Sequence, residues 1–305
     1  MRIYLSDLSL EILFGIRSKL DENFNPHILM PYDHRIEKSN IELSRLIDKK
    51  HMFKSLMIDS GTFVMNQEME KKNRFFNYRE QFNLYKHFIH QESSDFDYFI
   101  NFDVEFNGDM SLEVNKVYQE ELENNGFSPI FVIHSLKRNE IDYILTRSNK
   151  PELVAIASAR LKNNNEFALA QNIVNELYQN GIKVHLLGCN SFKKLSQTKA
   201  WSCDASSYAR WSGLKKVIYY SDIAKREIVL SLSKYNKKGQ LNKTFYNNDS
   251  MLVYKHEYER IIGISIDEII ENDINVLLVN AYYMWLLEER ITDMQKKDGI
   301  TFDKW

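Results

Sequence analysis

The chain has 305 residues, 44% hydrophobic and 13% aromatic, with ten glycines and four prolines, which suits one large α/β domain and excludes a collagen-like, linker-rich or disordered protein. Its net charge of −2 argues for no class of partner, and two cysteines, Cys189 and Cys203, can build neither a disulfide framework nor a four-thiolate zinc site, so a reducing cytoplasm is the expected compartment. The first seven residues are too few and too polar for a signal peptide, and the apolar run 274–287, broken by Asn280, reads as a buried helix and not a membrane span.

Short apolar runs at 3–5, 27–30 (ended by Pro31) and 55–58 read as strands, the third leading into Asp59-Ser60-Gly61-Thr62-Phe63. A helix is expected over about 71–91, with Phe75, Phe82, Tyr85 and Phe88 near helical spacing. Strand 98–102 ends in Asp103-Val104-Glu105, and a helix over about 111–124 stops at Gly126. Strand 129–133 ends in His134-Ser135, strand 153–156 in Ala157-Ser158, and strand 184–187 in Gly188. Between the last two lies an Ala/Leu-rich helix, 166–179, closed by Gly181. A short helix near 192–198, an apolar step at Asp204 and a strand at 216–220 follow. Residues 236–250 read as an exposed loop and about 266–294 as a long closing helix.

Strands alternating with helices, and no hairpin signal, imply a parallel sheet. About eight such units in about 220 residues suit a (β/α)₈ TIM-like barrel with a long C-terminal helix. A doubly wound open sheet competes, but no G-x-G-x-x-G follows any strand. The whole of 1–305 reads as one domain, with a basic loop region at about 193–243 and a helical extension over about 254–305. That basic region carries an excess of nine positive charges, including Lys215, Lys216, Lys237 and Lys238. It is either ordinary solvated surface or a face that follows phosphates.

In a barrel, chemistry lies at the carboxyl ends of the strands. Asp59, Asp103, His134, Ser158, Gly188 and Asp204 fall there. Each has an ordinary reading: a turn cap, a helix cap, a core histidine. Their convergence points to one of three roles. Paired carboxylates suit glycosyl transfer, one attacking carbon while the other moves protons. Asp103, Glu105, His134, His185 and Asp204 could hold a divalent cation in a metal-dependent hydrolase, although no His-x-His or tight His/Glu cluster is present. Alternatively the acids are structural and the chain is a non-catalytic nucleic-acid-binding scaffold.

The ordered set resembles the tRNA-guanine transglycosylase family. Ile58-Asp59-Ser60-Gly61-Thr62-Phe63 is similar to its D-S-G-G-F/Y segment, and Asn101-Phe102-Asp103-Val104 to its next strand-end Asp. Val132-Ile133-His134-Ser135 falls at its V/I-Q-G segment, Ala155-Ile156-Ala157-Ser158 at its G-G step, and His185-Leu186-Leu187-Gly188 at its L-x-G-x-G strand end. Cys203-Asp204-Ala205-Ser206 falls at the nucleophilic Asp, so the likeness spans roughly 54–211. Three departures stand out. The family's C-x-C-x-x-C…H zinc site has no counterpart after Cys203, His134 replaces the base-pocket Gln, and Ala157-Ser158 replaces the double Gly. The compact zinc-less form looks more like the phage and bacterial DpdA-type DNA-modifying branch.

The resemblance implies exchange of guanine in a nucleic acid, DNA in preference to tRNA, for a free 7-deazaguanine base, with no metal, no cofactor and no membrane. It implies Asp204 as nucleophile and Asp59 as proton carrier. It implies Asp103, Ser60, Gly61, His134, Ser158 and Gly188 around the base. Arg160, Arg210, Lys215 and Lys216 are the expected phosphate contacts, and the cytoplasm of a bacterial or phage-infected cell is the expected setting.

Overall fold

The apolar runs become eight strands: β1 (Arg2–Ser6), β2 (His27–Pro31), β3 (Ser55–Asp59), β4 (Tyr98–Phe99), β5 (Phe131–Ile133), β6 (Leu153–Ile156), β7 (Lys183–Leu186) and β8 (Ser202–Ala205). The computed structural model describes residues 1–32, 37–72, 76–104, 110–157 and 161–302. Between successive strands run α1 (Leu10–Lys19), α2 (Glu37–Ile47), α3 (Thr62–Lys72) with α4 (Tyr78–Glu92), α5 (Met110–Asn124), α6 (Arg138–Leu145), α7 (Asn164–Gln179) and α8 (Phe192–Leu195), and α9 (Ser207–Gly213) follows β8. All eight strands form one sheet in the order β4-β3-β2-β1-β8-β7-β6-β5, every ladder parallel. The sheet curls back on itself. Its edges meet at a single parallel bridge, Ile100 with Ile130, where Ile130 N donates to Phe99 O and Asn101 N to Ile130 O, each at 2.9 Å. That seam is a bridge and not a full ladder.

Side chains alternate across each strand. One set, including Ile3, Leu5, Leu56, Ile58, Val184, Leu186 and Cys203, packs in the main core with helical residues such as Leu13, Phe82 and Val174. The other set gathers Tyr4, Leu29, Met57, Ile100, Val132, Ala155 and Trp201 inside the curl. His27, Ser55, His185, Ser202 and Asp204 share the parity of this second set and are all buried. Polar groups enclosed there need partners. His27 Nδ1 lies 2.6 Å from Ser55 Oγ, and Ser55 Oγ donates to the Tyr4 hydroxyl at 3.0 Å.

Three expectations change. The helix expected over 71–91 is α4 alone; α3 is a separate element, and Asn77 caps α4 by accepting from Arg79 N and Glu80 N. The strand at 216–220 lies outside the parallel sheet: β9 (Lys216–Ser221) pairs antiparallel with β10 (Arg226–Ser231) in a hairpin. Its turn carries no Gly or Asn; Lys225 supplies the left-handed residue at φ 52°, which hid the hairpin signal. The closing helix is split after α10 (Leu252–Ile262) into α11 (Ile266–Ile270) and α12 (Asp273–Lys297), because Asn272 accepts from Ile274 N and starts a new helix.

The break in the apolar run, Asn280, is a fastener. It is buried, its Oδ1 accepts from Ile218 N at 3.2 Å, and its Nδ2 donates to Lys216 O at 2.9 Å and Ser212 Oγ at 3.1 Å. Through it α12 holds β9 and α9 while its next turns cover β1. Among the described residues no helix is long and apolar enough to cross a membrane.

Glu288 of α12 pins the amino ends of the strands. It accepts from Ile3 N at 2.8 Å and Lys54 Nζ at 2.9 Å, with His27 Nε2 at 3.6 Å. Burial works to raise its pKa, but His27, Lys54 and the Ile3 amide outweigh burial and hold it at about 2, against an ordinary 4.5. A depressed acid stabilises the fold above its unfolded pKa and loses that contribution as pH falls through the folded one. Glu288→Ala is therefore expected to cost about 3 kcal/mol in denaturant unfolding at pH 7. The deficit should shrink as the pH of the measurement is lowered from 4.5 toward 2.

Candidate active site at the carboxyl ends of the strands

Asp59 ends β3, His134 follows β5 by one residue, Asp204 is the third residue of β8, and Ser6 ends β1. Strand parity turns Ser6 and Asp204 toward one another inside the curl. Asp204 is 8% exposed, and both its oxygens are engaged: Gly188 N donates to Oδ1 at 2.6 Å and Ser6 Oγ to Oδ2 at 2.8 Å. Gly188 makes its approach at φ 61°, a backbone shape that suits glycine. The buried Tyr208 hydroxyl donates to Ser6 O at 2.6 Å and fixes that strand end. His185 Nε2 stands 3.4 Å from Asp204 Oδ1, and its Nδ1 lies 2.8 Å from Ser202 Oγ.

Asp103 is held by a second group of donors. Ser60 Oγ and Thr62 Oγ1 both reach its Oδ1, at 2.9 and 3.0 Å, and His134 Nε2 lies 3.2 Å from its Oδ2. The backbone beside it is clamped to α5, with Val104 N donating to Asn115 Oδ1 at 2.8 Å and Asn115 Nδ2 to Val104 O at 3.2 Å. His134 is set by Glu140, a buried carboxylate that accepts from His134 N at 3.0 Å, Ser135 N at 2.8 Å and Ser135 Oγ at 2.7 Å. His134 thus faces Asp103.

Asp59 differs from both. The Ser60 and Gly61 amides work to lower its pKa, but burial first, and the charges of Asp103 and Asp204 next, push it up to about 7 from an ordinary 3.8. The turn that aims it depends on Gly61, which sits at φ 76° with its missing Cβ only 2.1 Å from where Tyr32 O lies. Tyr32 N in turn donates to Asp59 O at 2.8 Å.

The geometry brings together Asp59, Ser60, Gly61, Asp103, His134, Gly188 and Asp204. Ser158, Arg160 and Glu105 lie outside the described residues. Three of the four expected phosphate contacts lie among the described residues. Arg210 is exposed on α9, Lys215 is ion-paired with Asp273, and Lys216 Nζ lies 5.7 Å from the Trp211 ring. The basic stretch is also divided by topology: Lys193 and Lys194 follow the carboxyl end of β7, whereas Lys199 precedes the amino end of β8. Ser6, Thr62, Ser202 and Glu140 are additional members of the site, and His185, weighed above only as a metal ligand, stands beside Asp204. Ser6 was detectable as a hydroxyl at the end of the first strand; Glu140 carries no local signal. Phe63, one residue past Thr62, is 56% exposed beside Asp59's turn.

Among the described residues no group of three or more His, Cys, Asp or Glu side chains is arranged to hold a metal ion. Burial raises the thiol pKa of Cys189 to about 11 and that of Cys203 well above its ordinary value. Grooves of about 420 and 670 Å³ border α12, and none of the three acids lines either one. No protein-family model matches the chain, and no curated protein matches it.

Two outcomes test this arrangement without any assay of activity. Gly61→Ala is expected to destabilise the protein by more than about 1 kcal/mol in denaturant unfolding, since left-handed strain and collision with Tyr32 O coincide. An acid whose folded pKa is raised stabilises below its unfolded pKa, and that contribution is lost as pH rises through the folded value. Asp59→Asn should accordingly be more stable than wild type at pH 8, by more than about 1 kcal/mol. The gain should vanish as pH falls from about 7 to 3.8.

Proposed function

We propose that this protein is a base-exchanging guanine transglycosylase that replaces guanine in a nucleic acid, DNA in preference to tRNA, with a free 7-deazaguanine through a covalent Asp204–sugar intermediate. The observation that carries the reading is the unequal treatment of three neighbouring carboxyls. Asp204 accepts on both oxygens and Asp103 twice on Oδ1 from fixed donors, whereas Asp59 has a pKa pushed up to about 7 and can carry a proton at neutral pH. Double displacement at a sugar carbon needs that division between an anionic nucleophile and a group that gives and takes a proton. A TIM-like barrel with one domain over the whole chain is the architecture that goes with it.

The target nucleotide is extruded from its stack into the mouth of the curl. An Asp204 oxygen attacks C1′ as the C1′–N9 bond breaks, and protonated Asp59 delivers its proton to the departing guanine. Asp204 is then esterified to the sugar and Asp59 is anionic. The incoming 7-deazaguanine attacks C1′ with its own ring nitrogen, yields that nitrogen's proton to Asp59, and the ester bond breaks. Both aspartates return to their starting states, and no metal or redox partner enters the balance. Gly188 N–H and Ser6 orient the nucleophile. Asp103, oriented by Ser60, Thr62 and His134, accepts from base N–H groups that adenine lacks. Gly61 lets the backbone approach closely, and Ser158 is a candidate donor to the base carbonyl. The setting is the cytoplasm of a bacterial or phage-infected cell.

The test combines labelled-guanine exchange with mass detection of a protein–nucleic acid adduct, on DNA and tRNA in parallel, with and without chelator. Wild type should exchange guanine in chelator, preferring DNA. Asp204→Asn should form no adduct and lose at least about a thousandfold in exchange, while Asp59→Asn should slow both half-reactions. Robust exchange by Asp204→Asn overturns the nucleophile. Preference for tRNA moves the substrate to the tRNA branch, chelator-abolished turnover favours a metal hydrolase, and binding without exchange or adduct leaves a scaffold.

A further inference from the structure

We propose that the loop joining β10 to α10 is a contact for a polynucleotide backbone, with Lys234, Lys237, Lys238 and Lys243 facing phosphates and the Tyr235 ring stacking on a base or sugar. The proposal deepens the function proposed above and takes the kind of polymer from it; the surface itself is argued from the loop.

The loop is polar, projects into solvent, and is nonetheless held in one shape. Fixing a backbone costs conformational entropy at every residue, and little apolar burial offsets that here, because 234–241 are all exposed. Three asparagines supply the restraint. Asn236 Oδ1 accepts from Lys238 N at 2.8 Å and Gln240 N at 3.0 Å. Asn242 Nδ2 donates to Ser233 O at 2.6 Å and Ser231 Oγ at 3.1 Å, and Asn248 Nδ2 to Asn242 O at 3.0 Å. Asn236 N donates to Gln240 O at 2.8 Å, Tyr235 and Leu241 form a bridge, and Gly239 turns the tip at φ 73°. This small second hairpin offers its side chains outward in a fixed layout, which lowers the entropy that a ligand must still remove on binding.

Its chemistry is one-sided. Four lysines and no acid occur from Leu232 to Asn248. Among the described residues none of the four is ion-paired, in contrast to Lys215 with Asp273. Tyr235 is 57% exposed, with Lys234 Nζ 5.7 Å from its ring centre. Cations without counter-charges call for a polyanion, and an open ring among them is the combination that binds single strands without regard to sequence. The loop is joined to the proposed centre through α9: Leu232 N donates to Lys215 O at 2.9 Å, and α9 begins two residues after β8.

The experiment follows binding of a fluorescent 30-mer, as single-stranded DNA, duplex DNA and RNA, from 50 to 200 mM salt. The triple variant Lys237→Gln, Lys238→Gln, Lys243→Gln should bind about 10–100-fold more weakly at 50 mM, and the slope of log affinity against log salt should fall by about 2–3. Tyr235→Ala should weaken single strands more than duplex. Lys150→Gln, an exposed charge elsewhere, should change neither, and melting temperatures should stay within about 2 °C of wild type. A triple variant with wild-type affinity and slope overturns the proposal. So does a polyglutamate chain that competes for the loop better than the polynucleotide, which would assign it to an acidic protein. If wild type binds through the loop yet exchanges no guanine, the loop contact stands and the enzyme reading falls. If exchange proceeds with KM unchanged in the triple variant, the enzyme stands and the loop contact falls.

Discussion

Three carboxyl groups gathered at one end of a buried sheet repel one another, and the donors around them decide which one yields. Around Asp204 and Asp103 the chain has invested hydroxyls, an imidazole and a backbone amide; around Asp59 it has left two amides against burial and two neighbouring charges. Like charges brought close drive one member of a set upward in pKa. At Asp59 burial acts first and the neighbouring charges of Asp103 and Asp204 add to it.

Holding that distribution requires parts that never touch the acids. Glu140 sets the backbone of His134, Tyr208 fixes the strand end that carries Ser6, and Asn115 clamps the turn below Asp103. Below the site, the His27–Ser55–Tyr4 chain and Glu288 occupy the same interior at its other end. The curl is thus polar at both ends and apolar between, with Met57, Val132, Ala155 and Trp201 in its middle. Hydrogen bonds inside such a medium are stronger than in water, and an orphaned group is correspondingly costly.

Much of this was legible in the sequence because parallel strands write themselves as short apolar runs whose last residues share one rim. Asp59, His134 and Asp204 stood out as polar residues ending such runs. Ser6, in the shortest context, did not, and neither did the partnership of His134 with Asp103, which depends on how two non-adjacent loops lean. Glu140 sits in a helix that looks like any amphipathic surface helix. The β9–β10 hairpin escaped because a lysine, and no glycine, takes the left-handed position. The run of basic residues from 193 to 243 is one stretch only along the chain: it spans both ends of β8 and reaches the loop after β10.

The order of the sheet has a consequence for how the molecule is made. β1 lies between β2 and β8, its outer face is covered by α12, and Ile3 N finds its partner in Glu288, 285 residues downstream. β1 is made before both β8 and α12, and is therefore completed late. Until β8 emerges that strand has one bare edge, and until α12 emerges it has one bare face. During synthesis the growing chain resembles an open half-curl that must avoid sticking to its neighbours, and closure waits on contacts of very long sequence separation.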